Sequence, residues 1–319
     1  MNKLISVAPM MDWTDRHCRY FHRLLSPNAL LYTEMVTANA LIHGDVDRHL
    51  RYDDHEHPII LQLGGSDPEK LAQAIEISEP YHYDGYNLNC GCPSDRVQNG
   101  AFGACLMNEP EVVAKCVTAM KEKTDKPVTV KCRIGIDDAD EHIMLRNFID
   151  IVSKAGCDHF IIHARKAWLN GLSPKENRDI PPLNYDLVRE IKQEYPHLTI
   201  ELNGGLKTID QLSEMKDSYD GFMIGREAYH NPRFLITLEN HFYNPDWVIH
   251  DKDVITAMID YANDQQDRYG TPIKSVTRHM INFFQGVKGA RLWRQTISEQ
   301  SRHANKAEDI LLQAYDAVK

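Results

Sequence analysis

The 319-residue sequence contains no run approaching the ~20 consecutive apolar residues that a membrane span needs, so no membrane partner is expected. Its opening stretch is too short in apolar residues for a signal peptide and is interrupted by Pro9 and Asp12. It also lacks a cysteine framework. Seven cysteines is an odd number, scattered without regular spacing, which speaks against a disulfide scaffold and for reduced thiols in a cytoplasmic setting. Cys90 and Cys92 lack the further paired ligands of a metal site, and His43, His49, His55 and His57 read as a polar segment, so no metal is expected. Basic residues are in short supply too: 36 Lys and Arg face 46 Asp and Glu, a formal charge of −10 that argues at first against a nucleic-acid partner.

The distribution of charge reverses that argument. Between Gly270 and Lys306 stand Lys274, Arg278, Lys288, Arg291, Arg294, Arg302 and Lys306 against the single acid Glu299, so this segment is +6 and the remainder −16. Such asymmetry marks one face that meets an anionic ligand. A composition 42% hydrophobic and 26% charged is otherwise that of an ordinary globular chain.

Eight short apolar, β-branched runs recur along the chain: Ser6 to Met10, Leu30 to Met35, Pro58 to Leu63, Gly85 to Asn89, Val128 to Arg133, His159 to His163, Thr199 to Leu202 and Gly221 to Ile224. The stretches between them, such as Pro68 to Ser78, Glu109 to Lys123, Asp140 to Ala155 and Tyr185 to Glu194, carry apolar residues at three-and-four spacing and predict helices. Eight alternating units with nearly continuous apolar strands predict a parallel sheet buried on both faces and closed into a (β/α)8 TIM barrel, with an open doubly wound sheet as the alternative. The alternation stops near Tyr229. Helices are predicted at about Asp253 to Arg268, Ile273 to Gln285, Ala290 to Ser298 and Asn305 to Val318, so the expected organisation is a barrel over 1–243 followed by a small C-terminal helical domain over 244–319.

Active sites of such barrels lie at the carboxyl ends of the strands. In order, those ends read Pro9-Met10-Met11, Thr33-Glu34-Met35, Gln62-Leu63-Gly64-Gly65, Asn87 through Ser94, Lys131-Cys132-Arg133, His163-Ala164-Arg165, Asn203-Gly204-Gly205 and Gly225-Arg226. The last two have the composition of a phosphate cradle, in which glycine admits backbone amides and a cation neutralises charge. Lys131 and His163 end adjacent strands and face one central space. A lysine and an amide such as Gln62 suit the pyrimidine edge of a flavin, whose reduced ring carries negative charge. Cys92 follows the fourth strand between Gly91 and Pro93, and an ordinary thiol is mostly protonated at neutral pH, so it can donate a proton.

The block Asn87-Leu88-Asn89-Cys90-Gly91-Cys92-Pro93-Ser94-Asp95-Arg96-Val97-Gln98-Asn99-Gly100, continued by Phe102-Gly103-Ala104-Cys105-Leu106-Met107, closely resembles the tRNA-dihydrouridine synthase family. The likeness runs through essentially the whole chain. Ala8 through Arg16 and Leu169 through Arg178 look like the family's bacterial DusA subgroup, which acts on D-loop uridines at positions 20 and 20a. The resemblance implies FMN as cofactor, NADPH as electron source, tRNA as partner and Cys92 as the catalytic proton donor; no protein partner is implied. It further implies FMN contacts from Pro9, Met10, Met11, Gln62, Lys131, His163, Asn203, Gly204, Gly205, Gly225 and Arg226. Asn89 would sit by the substrate base with Arg133 nearby, and Lys175, Arg178, Arg291 and Arg294 would contact tRNA.

The implied chemistry is hydride transfer from the flavin N5 to C6 of uracil and a proton from Cys92 to C5, on a nucleotide extruded from the RNA. The helical segment would offer Arg291, Trp293 and Arg294 to the RNA backbone. A small-molecule flavin reductase of the dihydroorotate dehydrogenase or enoate reductase kind would share barrel and cofactor without needing the +6 segment. A non-catalytic RNA-binding module would leave Lys131, Cys92 and the glycine loops without purpose.

Overall fold

The computed structural model describes residues 3–94, 102–301 and 304–318. Asp95 to Gly100 of the motif, and Arg302 of the basic segment, lie outside the described residues.

Nine strands form one parallel sheet: β1 (Leu4–Val7), β2 (Leu30–Tyr32), β3 (Val36–Thr37), β4 (Ile59–Gly64), β5 (Gly85–Cys90), β6 (Val128–Arg133), β7 (His159–His163), β8 (Thr199–Asn203) and β9 (Gly221–Ile224). Each pairs with the next around the order β2-β1-β9-β8-β7-β6-β5-β4, and β2 also pairs with β4, which closes an eight-stranded barrel. The TIM barrel expected from the sequence is therefore the fold. The short β3 pairs with β4 alone and stands outside the ring.

The expected second strand, Leu30 to Met35, is shorter. Thr33 ends it because its hydroxyl turns to the backbone, donating to the Glu34 carbonyl at 2.7 Å and accepting from the Gln62 N–H at 3.0 Å.

Side chains alternate across a strand. One set is apolar throughout, with Ile59, Leu61 and Leu63, Tyr86, Leu88 and Cys90, Val128, Val130 and Cys132 all buried. The other set meets inside the ring. There Ser6 Oγ donates to Glu201 at 2.5 Å and His159 reaches the same carboxylate at 2.7 Å, below an apolar cluster of Ala8, Tyr32, Ile60, Ile161 and Met223. Above that cluster the same alternation presents Gln62, Asn89, Lys131, His163 and Asn203, so the candidate site is the top layer of the barrel's own interior. His159 and His163 share one face of β7 but stand at its two ends, so their four-residue spacing does not make a metal-ligand pair.

The surrounding helices start where the sequence supplies caps. Asp67 accepts from the Glu69 and Lys70 amides ahead of Pro68–Ser78, whose Pro68 fits the first turn, and Asp140 accepts from His142 and Ile143 ahead of Glu141–Lys154. Among the described residues no helix is long and apolar enough to cross a membrane.

The chain divides into two compact units: residues 1–11 with 30–225, and residues 12–29 with 226–319. This differs from a single cut at 243/244. The helix Arg16–Leu25 joins the second unit because Ser26 and Asn28 bond the buried Glu239 carboxylate at 2.6 Å each, and Tyr20 stacks on Tyr261 at 3.9 Å. Within that unit the helices are Arg226–His230, Arg233–Phe242, Asp251–Tyr269, Ile273–Thr277, Ala290–Gln300 and Glu308–Asp316. The helix expected to run from Ile273 to Gln285 stops early. Consecutive Phe283 and Phe284 are both buried, against Phe21 and Trp293 respectively, and Gly286 turns the chain at φ +80°.

Candidate active site

Strand register brings the polar residues of the first unit side by side. Gln62 stands opposite Asn87, Asn89 opposite Lys131, Arg133 opposite His163, and His163 opposite Asn203. Several of their side chains are cross-bonded in two separate groups. Asn89 Nδ2 donates to Gln62 Oε1 at 2.9 Å, Gln62 Nε2 to Asn87 Oδ1 at 2.8 Å, and Asn87 Nδ2 to Thr129 Oγ1 at 2.8 Å. Lys131 Nζ donates to Asn203 Oδ1 at 3.1 Å, and Asn203 Nδ2 to the Met223 carbonyl at 2.7 Å. Each amide is thereby fixed in one orientation by its neighbours.

Cys92 stands just past the end of β5, half-buried. Its N–H and that of Gly91 donate to Asn89 Oδ1 at 3.0 and 3.1 Å, its carbonyl accepts from Ala104 at 2.9 Å, and its thiol lies 3.5 Å from Ser94 Oγ. Cys90 belongs to the opposite, helix-facing set, and burial pushes its thiol well above the ordinary range. Cys90 and Cys92 thus differ in the face they occupy and in their burial.

The electrostatics of the pocket are set by buried cations. Burial, then Arg133, pushes the Lys131 ammonium down to about 8, against the opposing pull of Cys132, Glu201 and Cys92. Burial likewise lowers Arg133 to about 10, with Arg178 and Arg165 adding to it and Cys92 opposing.

The remaining strand-end residues divide. Pro9 and Met10 are half-buried beyond the end of β1, whereas Met11 is 55% exposed. At Gly204, φ is +114° and a Cβ would sit 2.7 Å from His163 Cδ2; at Gly205, φ is +69° and a Cβ would lie 2.6 Å from Leu183 Cδ1. Only glycine fits either position. A Cβ on Gly225, by contrast, would meet nothing within 4 Å, which leaves that backbone open to a ligand. Gly225 closes the first unit and Arg226 begins the second.

Sequence reasoning missed the groups that hold these loops. Tyr185 Oη donates to the Gly204 carbonyl at 2.6 Å, and Arg165 donates to the Pro181 carbonyl. Asn177, buried between Lys175 and Arg178, accepts from Trp168 N at 2.7 Å and donates to the carbonyls of Trp168 and Leu172 at 2.8 and 3.2 Å. An asparagine inside a polar loop gives no sign that it is buried. Lys175 is exposed and Arg178 half-buried on this turn.

In the second unit, Arg291 is exposed and Arg294 half-buried on the helix Ala290–Gln300, so the two do share a helix. Trp293, expected as an RNA-facing aromatic, is instead buried. With Ala290 and Ile297 it forms the helix's apolar face, its Nε1 donates to the Met280 carbonyl at 3.0 Å, and it packs edge-on against Phe284. Arg278 is paired with Asp15 at 2.6 Å, which takes one basic residue of the segment into the unit's own structure.

The dihydrouridine synthase family model matches residues 6–319. A tRNA-dihydrouridine(20/20a) synthase of Shewanella oneidensis is 51% identical over all of this chain and 95% of its own length. Proteins of the same name from Vibrio parahaemolyticus and Escherichia coli strain K12 are each 52% identical, over 97% and 98% of this chain and 95% and 91% of theirs. Identity at that level along a barrel whose motif cysteine is held at a strand end leaves one assignment: the chain belongs to the dihydrouridine synthase family.

Proposed function

We propose that this protein reduces uridine to 5,6-dihydrouridine in the D-loop of tRNA, at positions 20 and 20a, using FMN and NADPH in the cytoplasm. The observation that carries the reading is Cys92, its N–H held by Asn89 just past the end of β5, beside the strand ends that bear Gln62, Lys131 and Asn203. The full-length likeness to proteins named for that activity supports it.

The residues fit FMN. Lys131 spends one of its three N–H donors on Asn203, which leaves two for an anionic ring edge, and Gln62 offers an amide among the same strand ends. Glycine at 204 and 205, and the open backbone at Gly225, suit a phosphate, for which Arg226 supplies charge. Pro9, Met10, Met11 and His163 complete the proposed cofactor set. When bound, FMN supplies the hydride that adds to C6 of uracil.

The chain's own residues supply the rest. Negative charge develops at C5 and the adjoining carbonyl, and the Cys92 thiol holds the proton that C5 takes up. Asn89 keeps that thiol's backbone in place and lies where a base would enter, and Lys131 and Arg133 make the pocket electropositive. Because the target atoms are stacked within folded RNA, the nucleotide enters by extrusion. Lys175 and Arg178 in the barrel unit, and Arg291 and Arg294 in the helical unit, provide cations for the phosphates. In functional terms, residues 1–243 hold FMN and 244–319 carry the tRNA-binding helices.

The test is an oxidation assay. The purified protein should be yellow, its flavin reduced by NADPH and reoxidised by unmodified tRNA, with dihydrouridine mapped to positions 20 and 20a. Equal reoxidation by free uridine, orotate or an enone would instead make it a small-molecule reductase.

A further inference from the structure

Arg133 closes β6 at 3% exposure and makes contacts unlike those of a substrate ligand. Its Nε donates to the Gly91 carbonyl at 2.9 Å, and its Nη1 donates to the carbonyls of Lys166 and Asn177, each at 2.9 Å. These acceptors lie on three separate stretches: the loop bearing Cys92, the chain leaving β7, and the turn bearing Lys175 and Arg178. A guanidinium presents its five donors in one rigid plane, so three such bonds fix the three stretches relative to one another.

Both ends of this strut are stiff. On one side Asn89 holds the Gly91 and Cys92 amides; on the other, the Asn177 side chain ties its turn to Trp168 and Leu172. The arrangement is electrostatically costly. Among the described residues no carboxylate bonds Arg133, and burial with Arg178 and Arg165 nearby disfavours its charge. Among the described residues the hydrogen bonds of this buried cation all run to backbone carbonyls, which serves geometry better than it serves stability.

We propose that Arg133 is a positioning residue that locks the Cys92 loop to segment 166–178, so that the proton donor and the turn bearing Lys175 and Arg178 keep one fixed separation. This rests on the reading of Cys92 as proton donor and extends it. The consequence is a division of labour in which the lysine and arginine of the turn meet RNA, and Arg133 transmits their placement to the thiol.

Two substitutions test it in the flavin-loaded protein. Arg133→Lys keeps the charge but loses the planar fork, and Asn177→Ala loosens the far anchor. In the absence of RNA, alkylation of Cys92 by iodoacetamide, followed peptide by peptide, should change several-fold in both variants, while Cys105 in the same molecules should react as before. At saturating tRNA the single-turnover rate should fall by about 10²-fold, the scale expected of a misplaced reacting group, with tRNA affinity and flavin content preserved. Methylguanidinium should restore part of the rate to Arg133→Ala, where the same concentration of sodium chloride should not. If Arg133→Ala does not fold, the lysine and Asn177 variants still decide the matter. Unchanged Cys92 alkylation with a loss confined to tRNA affinity would return Arg133 to the role of substrate ligand and overturn the proposal. The alkylation readout is independent of turnover, so an active Cys92→Ala protein would remove the proton-donor reading without imitating a failed strut.

Discussion

The strand-end cluster of the barrel unit and the basic segment of the helical unit achieve polarity by opposite means. In the cluster, Gln62, Asn87, Asn89, Lys131, Asn203 and Arg133 are mostly buried, and each is bonded to a neighbour or to backbone. In the helical unit, Lys274, Lys288 and Arg291 are exposed. Buried, cross-bonded groups keep their geometry to fractions of an ångström and suit bond making. Exposed cations are mobile, screened by salt and tolerant of position, which suits docking on a phosphate backbone. Removing one group should therefore be drastic in the first region and graded in the second.

The largest effect expected is that of Cys92→Ala. It should lower single-turnover dihydrouridine formation by about 10²–10⁴-fold while flavin content and tRNA affinity persist. Cys90→Ala, on the helix-facing side of the same strand, should be far milder; equal losses would mean that Cys90 and Cys92 share a structural role.

The helix Ala290–Gln300 carries the comparison within eleven residues. Trp293→Ala empties a core position and should cost about 3–5 kcal/mol, read as a lower denaturation midpoint. Arg291→Ala with Arg294→Ala should leave that midpoint nearly unchanged, weaken tRNA binding, and reduce the slope of log K against log salt by about 1–2. Flavin reduction by NADPH should not change. A double variant that binds tRNA normally across the titration removes these arginines from the interface.

The smallest effect concerns pH. Lys131, lowered to about 8, loses its charge as pH rises through that value, so FMN affinity should decline above it and Lys131→Met should flatten the decline. Stability moves the other way. The unfolded lysine keeps its proton to a higher pH, so between about 8 and the ordinary lysine value near 10.4 this group makes folding more favourable as pH rises. Parallel titrations of FMN affinity and thermal midpoint should show opposite slopes.

The gathering of polar residues at the strand ends was legible because strand ends are where barrels keep their chemistry, and period-two alternation puts Gln62, Lys131, His163 and Asn203 on the same face once the strands are assigned. The buried face of the last long basic helix could be read in Ala290, Trp293 and Ile297 at three-and-four spacing, but the tryptophan's place between Arg291 and Arg294 pointed instead to the RNA backbone. Arg133 and Asn177 were opaque for a different reason. Their partners are backbone carbonyls, which every residue possesses, so no residue type announces them. The membership of Arg16–Leu25 in the helical unit was equally hidden, since it depends on Glu239 and Tyr261 far along the chain.

That last contact pattern bears on how the chain is made. Ser26 and Asp15 find their partners Glu239 and Arg278 only 213 and 263 positions later. At ribosomal speeds the interval is on the order of 10 to 50 s. Throughout it, Phe21 and Leu25, both fully buried in the finished protein, have no completed core to enter. The nascent chain thus carries a sticky helix ahead of a barrel that can already be closing, and synthesis slowed within the last third lengthens the time during which chaperones must cover it.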